Sequence, residues 1–508
     1  MRRLNIYFTS DTHGYLNPVD YSTGEKKVTG LIDCMGQFHK DGNTLILDGG
    51  DTIQGSPFLT YLSQGPDASL VGRLMNLGQY DYVTLGNHDF NYGPEYLETY
   101  LDALEAKCLC ANVTDRTGKL PLIPYEIRTM ENGLRVGIIG VCTDFVNIWE
   151  KPENLEHVKV NPVREILDQI AGEVRSQCDL MVGLYHGGIE CDLDSEEILS
   201  DSRENIAYEI CRDFEFDLLC TGHQHMPVAS RTYHGTHIVQ TPQNAEGYCH
   251  ITIEETEKTD MEVVNKFHVE QDKISGNQRF KITSELCQPV DEPLQSAVEL
   301  LADKEHEVQS WLDMPKGHFE QSMMPDTKIN MARHGTPIAD FFNAVQLKYS
   351  GADISCTSLA NDIKGFGQDV TIRDIVSTYR YLNTLVVLEV TGEILRAALE
   401  RCGEYFQVEA DGSVRVSDEF LKPKVEHYNF DFFAGIDYKF DVTRPVRDRV
   451  VLLQYKGKDV QPQDKFTLCM NNYRASGTGG YEMFRGCPVV REILTDMVEL
   501  TTNYLEGR

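Results

Sequence analysis

The sequence predicts an α+β protein of two domains, and three observations carry that prediction. At 508 residues the chain is too long for one hydrophobic core. Its first half alternates short apolar runs, helical stretches and polar clusters, and most of the runs end directly in Asp, His, Asn or Gly. Its second half has a separate rhythm of helices and strands. The predicted organisation is a first domain over residues 1–275, a linker with a long helix over 276–325, and a mixed α+β domain over 326–508.

Residues 4–8, 44–47, 82–84, 135–140, 180–184 and 218–220 read as buried strands. They lead into polar clusters holding Asp11, Asp51, Asn87, His186 and His223. In open α/β arrangements ligands gather beyond the carboxyl ends of strands, so polar groups delivered to one edge predict an assembled site. Residues 292–312 place Leu294, Val298, Leu301, Val308 and Leu312 at helical spacing and predict a connecting helix. Residues 315–325, rich in Met, Gly and His, predict a loop. Beyond it, 338–349, 371–377 and 392–402 read as helical, and 354–356 and 384–391 as strands. Residues 436–442 and 449–455 read as paired strands.

The composition, 41% hydrophobic and 25% charged, is that of an ordinary globular protein. A net charge of −32 argues against a polymer nuclease and against docking on anionic membranes, since phosphate backbones are bound by clustered Lys and Arg. A small anionic substrate stays open where metal ions reverse the local potential. The polar motif Thr9-Ser10-Asp11 follows the first apolar run too soon for a signal peptide, and no apolar run could span a bilayer, so the expected location is cytoplasmic. Fourteen scattered cysteines, with Cys108 and Cys110 as a C-x-C pair, predict buried thiols in a reducing compartment.

Five motifs carry the chemistry: Asp11-Thr12-His13-Gly14, Gly49-Gly50-Asp51, Gly86-Asn87-His88-Asp89, His186-Gly187-Gly188 and Gly222-His223-Gln224-His225. Carboxylate, amide and imidazole donors together suit Zn, Mn, Fe or Co better than Mg alone. Each member also has a plainer reading: Asp11 as a turn residue, His88 as an exposed loop histidine, His186 as a core histidine, and His223 with His225 as one face of a strand end. The ordered set is what points to a site.

That set resembles the calcineurin-like metallophosphoesterases. The segments Tyr428-Asn429-Phe430-Asp431-Phe432-Phe433-Ala434-Gly435 and Asn471-Asn472-Tyr473-Arg474-Ala475-Ser476-Gly477 extend the resemblance to 5'-nucleotidase C-terminal domains. The branch most similar is that of the 2',3'-cyclic-nucleotide 2'-phosphodiesterase/3'-nucleotidases. The resemblance implies a four-layer αββα first domain and two divalent metal ions. One ion would be held by Asp11, His13, Asp51 and His225, the other by Asp51, Asn87, His186 and His223, with Asp51 bridging. A hydroxide activated between them would attack phosphorus. His88 would stabilise the transition state or protonate the leaving oxygen, a task suited to histidine near neutral pH. Some relatives orient this histidine with an aspartate three residues on, where Asn91 stands here; Asp89 is the other candidate catalytic residue, orienting the loop.

In the second domain the resemblance implies that Phe430 and Tyr473 stack a nucleobase, with Asn472 and Arg474 hydrogen-bonding base or ribose. Phe430 reads equally well as one of the core aromatics of its run. Two departures bear on substrate. The stretch Ser358-Leu359-Ala360-Asn361-Asp362-Ile363-Lys364-Gly365 lacks the phosphate-gripping arginine of typical 5'-nucleotidases, and Lys364 is its only cation. Gly479 stands where some 5'-nucleotidases carry aspartate. Both favour 2',3'-cyclic nucleotides and 3'-nucleotides as small-molecule substrates. The alternatives are a 5'-nucleotidase or UDP-sugar hydrolase and, in another class, a non-catalytic nucleotide-binding protein.

Overall fold

Strands that are apolar on both faces need cover on both sides, and alternation along them shows where each cover lies. The computed structural model describes residues 2–65, 68–198, 203–256, 279–381, 383–422, 424–493 and 495–507. In the first unit, strand Leu180–His186 turns Leu180, Val182 and Leu184 to one side and Met181 and Tyr185 to the other. Strand Arg135–Cys142 likewise divides Val136 and Ile138 from Ile139 and Val141. The first set meets Leu4, Ile6, Phe8, Leu45 and Leu47 of a second sheet. The other packs on Val163, Leu167, Ala171 and Val174, one face of helix Val163–Gln177.

Two sheets therefore lie face to face. One has seven strands in the order Phe280–Cys287, Tyr248–Glu255, Arg3–Thr9, Thr44–Asp48, Tyr82–Val83, Lys107–Leu109 and Leu122–Ile123. The other has six, in the order Val228–Tyr233, Thr236–Gln240, Leu218–Thr221, Leu180–His186, Arg135–Cys142 and Tyr125–Thr129. The central strands of both are parallel. With helices on the outer faces this is the expected αββα sandwich. Cluster-bearing turns follow the carboxyl ends of adjacent strands: Thr9 and Asp48 in one sheet, His186 and Thr221 in the other.

The chain divides into two compact units, Met1–Asp20 with Gly24–Val308, and Tyr21–Thr23 with Gln309–Arg508. The boundary expected at residue 275 lies outside the described residues. Strand Phe280–Cys287, from the stretch expected to be linker, completes the seven-stranded sheet. The expected connecting helix forms as Gln295–Leu312.

The second unit is built on a mixed five-stranded sheet in the order Asp431–Ala434, Ile354–Ser358, Lys465–Asn471, Leu385–Thr391 and Val489–Ile493. Helices Pro337–Ser350, Ile372–Thr378 and Gly392–Gly403 form where helical spacing predicts them. Asp437–Phe440 and Val450–Tyr455 pair antiparallel as expected. The expected loop at 315–325 differs: Pro315–His318 is a strand paired with Asp369–Thr371. Both its ends are exposed, so its ladder leaves no alternating apolar signature. All fourteen cysteines are free thiols, and twelve are buried.

One polar contact ties the two sheets at their edges. Ser284 donates its hydroxyl to the Ala229 carbonyl and accepts from His237 Nε2 at 2.7 Å. Burial lowers the His237 pKa to about 4. A histidine depressed from about 6.5 to about 4 leaves the unfolded chain binding more protons inside that window, so its contribution is full above pH 6.5 and lost as pH falls. Denaturant midpoints between pH 7 and pH 4 should therefore fall less steeply for His237→Gln than for the parent, the difference reaching about 3 kcal/mol at most. Parallel profiles would remove His237 from the acid response.

Candidate functional site

The site begins with backbone that side chains rarely adopt. Asp11, His13, Asp51, His223 and His225 have φ of 54°, 48°, 56°, 72° and 57°. Non-glycine residues in this region are strained by about 1–3 kcal/mol each, and such strain persists only where surroundings enforce it. Backbone bonds link the loops: Asp11 N–H donates to Gly50 O at 2.9 Å, and His13 N–H to Asp51 O at 2.8 Å. Glycine permits the close approaches. A Cβ on Gly86 would lie 2.1 Å from Asp51 Oδ1, and one on Gly222 would lie 2.6 Å from Asp11 Oδ2.

These loops bring the expected ligands into two adjoining clusters. Donor atoms of Asp11, His13 and His225 all lie within 4.8 Å of one another, as do those of Asp51, His186 and His223. Asn87 joins the second: its Oδ1 lies 3.2 Å from His186 Nε2 and 2.8 Å from His223 Nδ1. Asp51 Oδ2 sits between the clusters, 3.2 Å from His186 Nε2 and 4.0 Å from His13 Nε2.

Two features test whether divalent cations fit. Asp51 Oδ2 is buried, and because neither histidine meets hydrogen-bond geometry it has no hydrogen-bond partner. His13 Nε2 and His225 Nε2 face each other at 3.0 Å, while His13 Nδ1 lies 3.0 Å from the Gln54 carbonyl. A ring that donates through Nδ1 presents a bare lone pair at Nε2, the form that binds a cation. Two more rings are anchored similarly: His186 Nδ1 donates to Gly49 O at 2.7 Å, and His223 Nε2 to Glu204 Oε1 at 2.9 Å. Trp149 stacks on His223 with ring centroids 5.3 Å apart. The residues present therefore fit two divalent cations.

Electrostatics point the same way. Burial alone would raise both carboxyls; the His225 hydrogen bond and His186 hold Asp11 well below the usual carboxylate range, and His186 and His88 do so for Asp51. Burial would lower His186, but Asp51 beside it pushes it up to about 10. A cation binding here competes with that proton.

His88 lies beside the first cluster, its ring 5.5 Å from that of His13, and its backbone N–H donates to Asp51 Oδ1 at 2.7 Å. Asp89 is buried and holds backbone. Its Oδ2 accepts from Gly86 and Asp51 N–H, its Oδ1 from Thr52 and Ile53 N–H, all at 2.7–3.0 Å. Both oxygens are thus committed to backbone of the Gly86 and Asp51 turns, contacts of the kind that orient a loop. Sequence reasoning missed Asp48, whose Oδ1 accepts from Gly50 N–H and the Thr52 hydroxyl, and missed Glu204. Asp48 was legible as a carboxylate in an otherwise apolar run; Glu204 stands in a polar stretch of sequence with no such signal.

In the second unit, two of the expected substrate residues are buried. Phe430 is 3% exposed, with ring centroids 4.9 Å from Tyr405 and 5.1 Å from Phe432, so neither face is open to a base. Arg474 is 1% exposed. Its Nε pairs with Asp431 at 2.7 Å, Nη1 and Nη2 donate to the Thr478 and Tyr428 carbonyls, and its guanidinium carbon lies 4.0 Å from the Tyr481 ring centroid. It ties the two motif segments together. Tyr473 and Asn472 are half-buried, and Asn472 Oδ1 accepts from Thr384 N–H at 3.2 Å. The half-exposed aromatic of the first segment is Tyr428.

The substrate-side departures have structural reasons. Gly479 has φ of 77°, and a Cβ there would lie 2.2 Å from Asn429 Oδ1 and 2.5 Å from Arg474 Nη1, so an aspartate would strain the backbone and displace both side chains. Lys364 pairs with Asp374 at 3.1 Å. Two cations reach its loop from elsewhere: Lys328 donates to the Ala360 carbonyl, and Arg380 pairs with Asp362 at 3.2 Å.

Comparison with known proteins matches residues 4–227 to the calcineurin-like phosphoesterase domain and 317–486 to the 5'-nucleotidase C-terminal domain. A crystal structure from Staphylococcus aureus, of a protein named as a candidate 5'-nucleotidase, is 31% identical, with a TM-score of 0.87 over 100% of this chain and 97% of that one. The Haemophilus influenzae 2',3'-cyclic-nucleotide 2'-phosphodiesterase/3'-nucleotidase is 25% identical over 98% of this chain and 85% of its own length. The trifunctional nucleotide phosphoesterase YfkN of Bacillus subtilis is 26% identical over 99% of this chain, which spans 38% of that protein. Among the described residues no helix is long and apolar enough to cross a membrane.

Arg474→Ala should destabilise the second unit by about 3–5 kcal/mol in urea melts, because Asp431 stays buried without its cation. An unchanged midpoint with a raised KM would return Arg474 to the substrate.

Proposed function

We propose that this chain, which belongs to the calcineurin-like phosphoesterases and carries a 5'-nucleotidase C-terminal domain, hydrolyses nucleotide phosphate esters, favouring 2',3'-cyclic nucleotides and 3'-nucleotides. At the level of class it is a metal-dependent phosphoric ester hydrolase. The observation that carries the reading is Asp51: a buried carboxylate oxygen with no hydrogen-bond partner, set between two groups of ligand atoms.

Asp11, His13 and His225 would hold one divalent cation, and Asn87, His186 and His223 the other, with Asp51 reaching both. Zn, Mn, Fe or Co match these nitrogen and oxygen donors. When bound, the pair supplies a Lewis acid and an activated water. The protein residues do the rest. Gly49 O, Gln54 O and Glu204 fix the ring orientations of His186, His13 and His223. Asp89 holds the Asp51 turn in place. His88 gives a proton from Nε2 to the leaving oxygen. Recognition of the nucleoside falls to the domain proposed over 326–508, where Tyr428 and Tyr473, in place of Phe430, offer ring faces to the base.

The cyclic and 3'-phosphate preference is supported by the name of the Haemophilus influenzae relative and by Lys364, whose charge is matched by Asp374. A second reading, 5'-nucleotides, is favoured by the Staphylococcus aureus relative's name and by Lys328 and Arg380 at the 358–365 loop.

Phosphate release from 2',3'-cyclic AMP, 3'-AMP, 5'-AMP and a UDP-sugar, with added phosphatase to reveal diester opening, separates the readings. Metal-dependent turnover should be fastest on the first two and vanish with chelator; fastest turnover on 5'-AMP selects the second reading. Asp51→Ala, with the fold intact, should lose turnover and bound metal together, and normal turnover would sink the two-cation reading. Tyr428→Ala should raise KM about tenfold, since stacking contributes about 1–3 kcal/mol.

A further inference from the structure

The orientation of His88 depends on an amide that could point either way. His88 Nδ1 lies 2.7 Å from Asn91 Oδ1. An asparagine side chain has a donor end and an acceptor end, and whichever faces an imidazole decides which ring nitrogen carries the proton. Asn91 alone does not settle that choice. Its other end meets Glu150, to which Asn91 Nδ2 donates. Glu150 Oε1 accepts from Lys151 N–H at 2.6 Å and from Asn154 Nδ2 at 2.9 Å, and Asn154 Nδ2 also lies 3.0 Å from the Asn91 carbonyl. An ionised carboxylate only accepts. The NH2 of Asn91 must therefore face Glu150, its oxygen must face His88, and Nδ1 must carry a hydrogen.

We propose that Glu150 is a positioning residue for His88, acting through the Asn91 amide to keep the ring proton on Nδ1. The inference rests on the reading of His88 as the proton donor. In the imidazolium both nitrogens carry hydrogen. As the bond from phosphorus to the leaving oxygen breaks, the Nε2 proton passes to that oxygen, and the neutral Nδ1–H ring that remains is the form Asn91 already binds. Glu150 thus stabilises the histidine on both sides of the transfer without placing a charge against it. Nothing in sequence spacing links position 150 to position 88; the turn Val146–Trp149 brings it there, and the same turn seats Trp149 on His223.

Glu150→Gln tests this. Glutamine keeps the length but can itself donate to Asn91, which frees the amide to turn over and present NH2 to His88. With the metal-loaded protein, kcat on an ester with an alkoxide leaving group should fall about ten- to a hundredfold with KM unchanged. The alkoxide ester is a nucleotide where the parent cleaves one, and glycerol 2-phosphate otherwise. On a p-nitrophenyl phosphate ester, whose leaving group needs no proton, kcat should stay within about twofold of the parent. Adding Asn91→Asp to Glu150→Gln should restore most of the alkoxide rate, because a carboxylate at 91 accepts from Nδ1–H in either orientation. Equal losses on both esters, loss of bound metal, no loss, or no rescue by Asn91→Asp would each overturn the role of Glu150. A parent that cleaves both synthetic esters but no nucleotide overturns only the nucleotide reading; one that cleaves nothing with any metal overturns both.

Discussion

The carboxylate of Asp89 is the constraint on which the proposed metal centre depends. Four backbone N–H groups from two loops end on its two oxygens, and charge-assisted bonds of this kind are roughly twice as strong as neutral ones. They fix the turn that carries Asp51 against the turn that carries Asn87. Asp48 braces the same turn from its other side through Gly50 N–H and the Thr52 hydroxyl, and accepts from Thr9 at 2.6 Å. Held this way, five candidate ligand residues can keep left-handed backbone that would otherwise relax. Four carboxylates, Asp11, Asp48, Asp51 and Asp89, are thereby buried in one region of a chain whose net charge is −32. Burial pushes Asp48 up to about 7 and raises Asp89, whereas histidines hold Asp11 and Asp51 well below the usual carboxylate range, so the charge that bound cations would offset sits on the two candidate ligands.

Much of this was legible in the sequence because the strands and the candidate ligands announce themselves together. The run Leu4–Ile6–Phe8 alternates into the core, and three residues past it stands Asp11. Singly the seven ligand positions have plainer readings, but their order after successive strands points to one site. What could not be read was anything set by contacts between distant loops. Asp89 was legible as a loop-orienting candidate, but its four amide partners emerge only in space. Glu204 and Glu150 have no motif, since their meaning comes from His223 and Asn91, which they meet in space. The edge ladder of Pro315–His318 left no pattern because neither end is buried.

The second unit shows the same limit more sharply. An aromatic run such as Tyr428–Phe433 cannot say which ring is core and which is open, because both positions ask for the same residue types. Burial decides it, placing Phe430 among Tyr405, Phe406 and Phe432. Arg474 has the composition of a substrate grip, yet its planar fork closes on Asp431 and two carbonyls, a geometry a lysine could not reproduce. Its role is to hold the segments of Tyr428 and Tyr473 in register with each other.

Trp149 carries a consequence of a different kind. The chain has two tryptophans, and this one lies with its ring against His223, while the other, Trp311, belongs to the helix Gln295–Leu312. An indole in contact with a candidate metal-binding imidazole is an optical probe that the fold already contains. Paramagnetic Mn or Co bound beside it would drain its excited state, whereas closed-shell Zn would not, so the brightness and lifetime of the protein's own emission would separate the two kinds of ion.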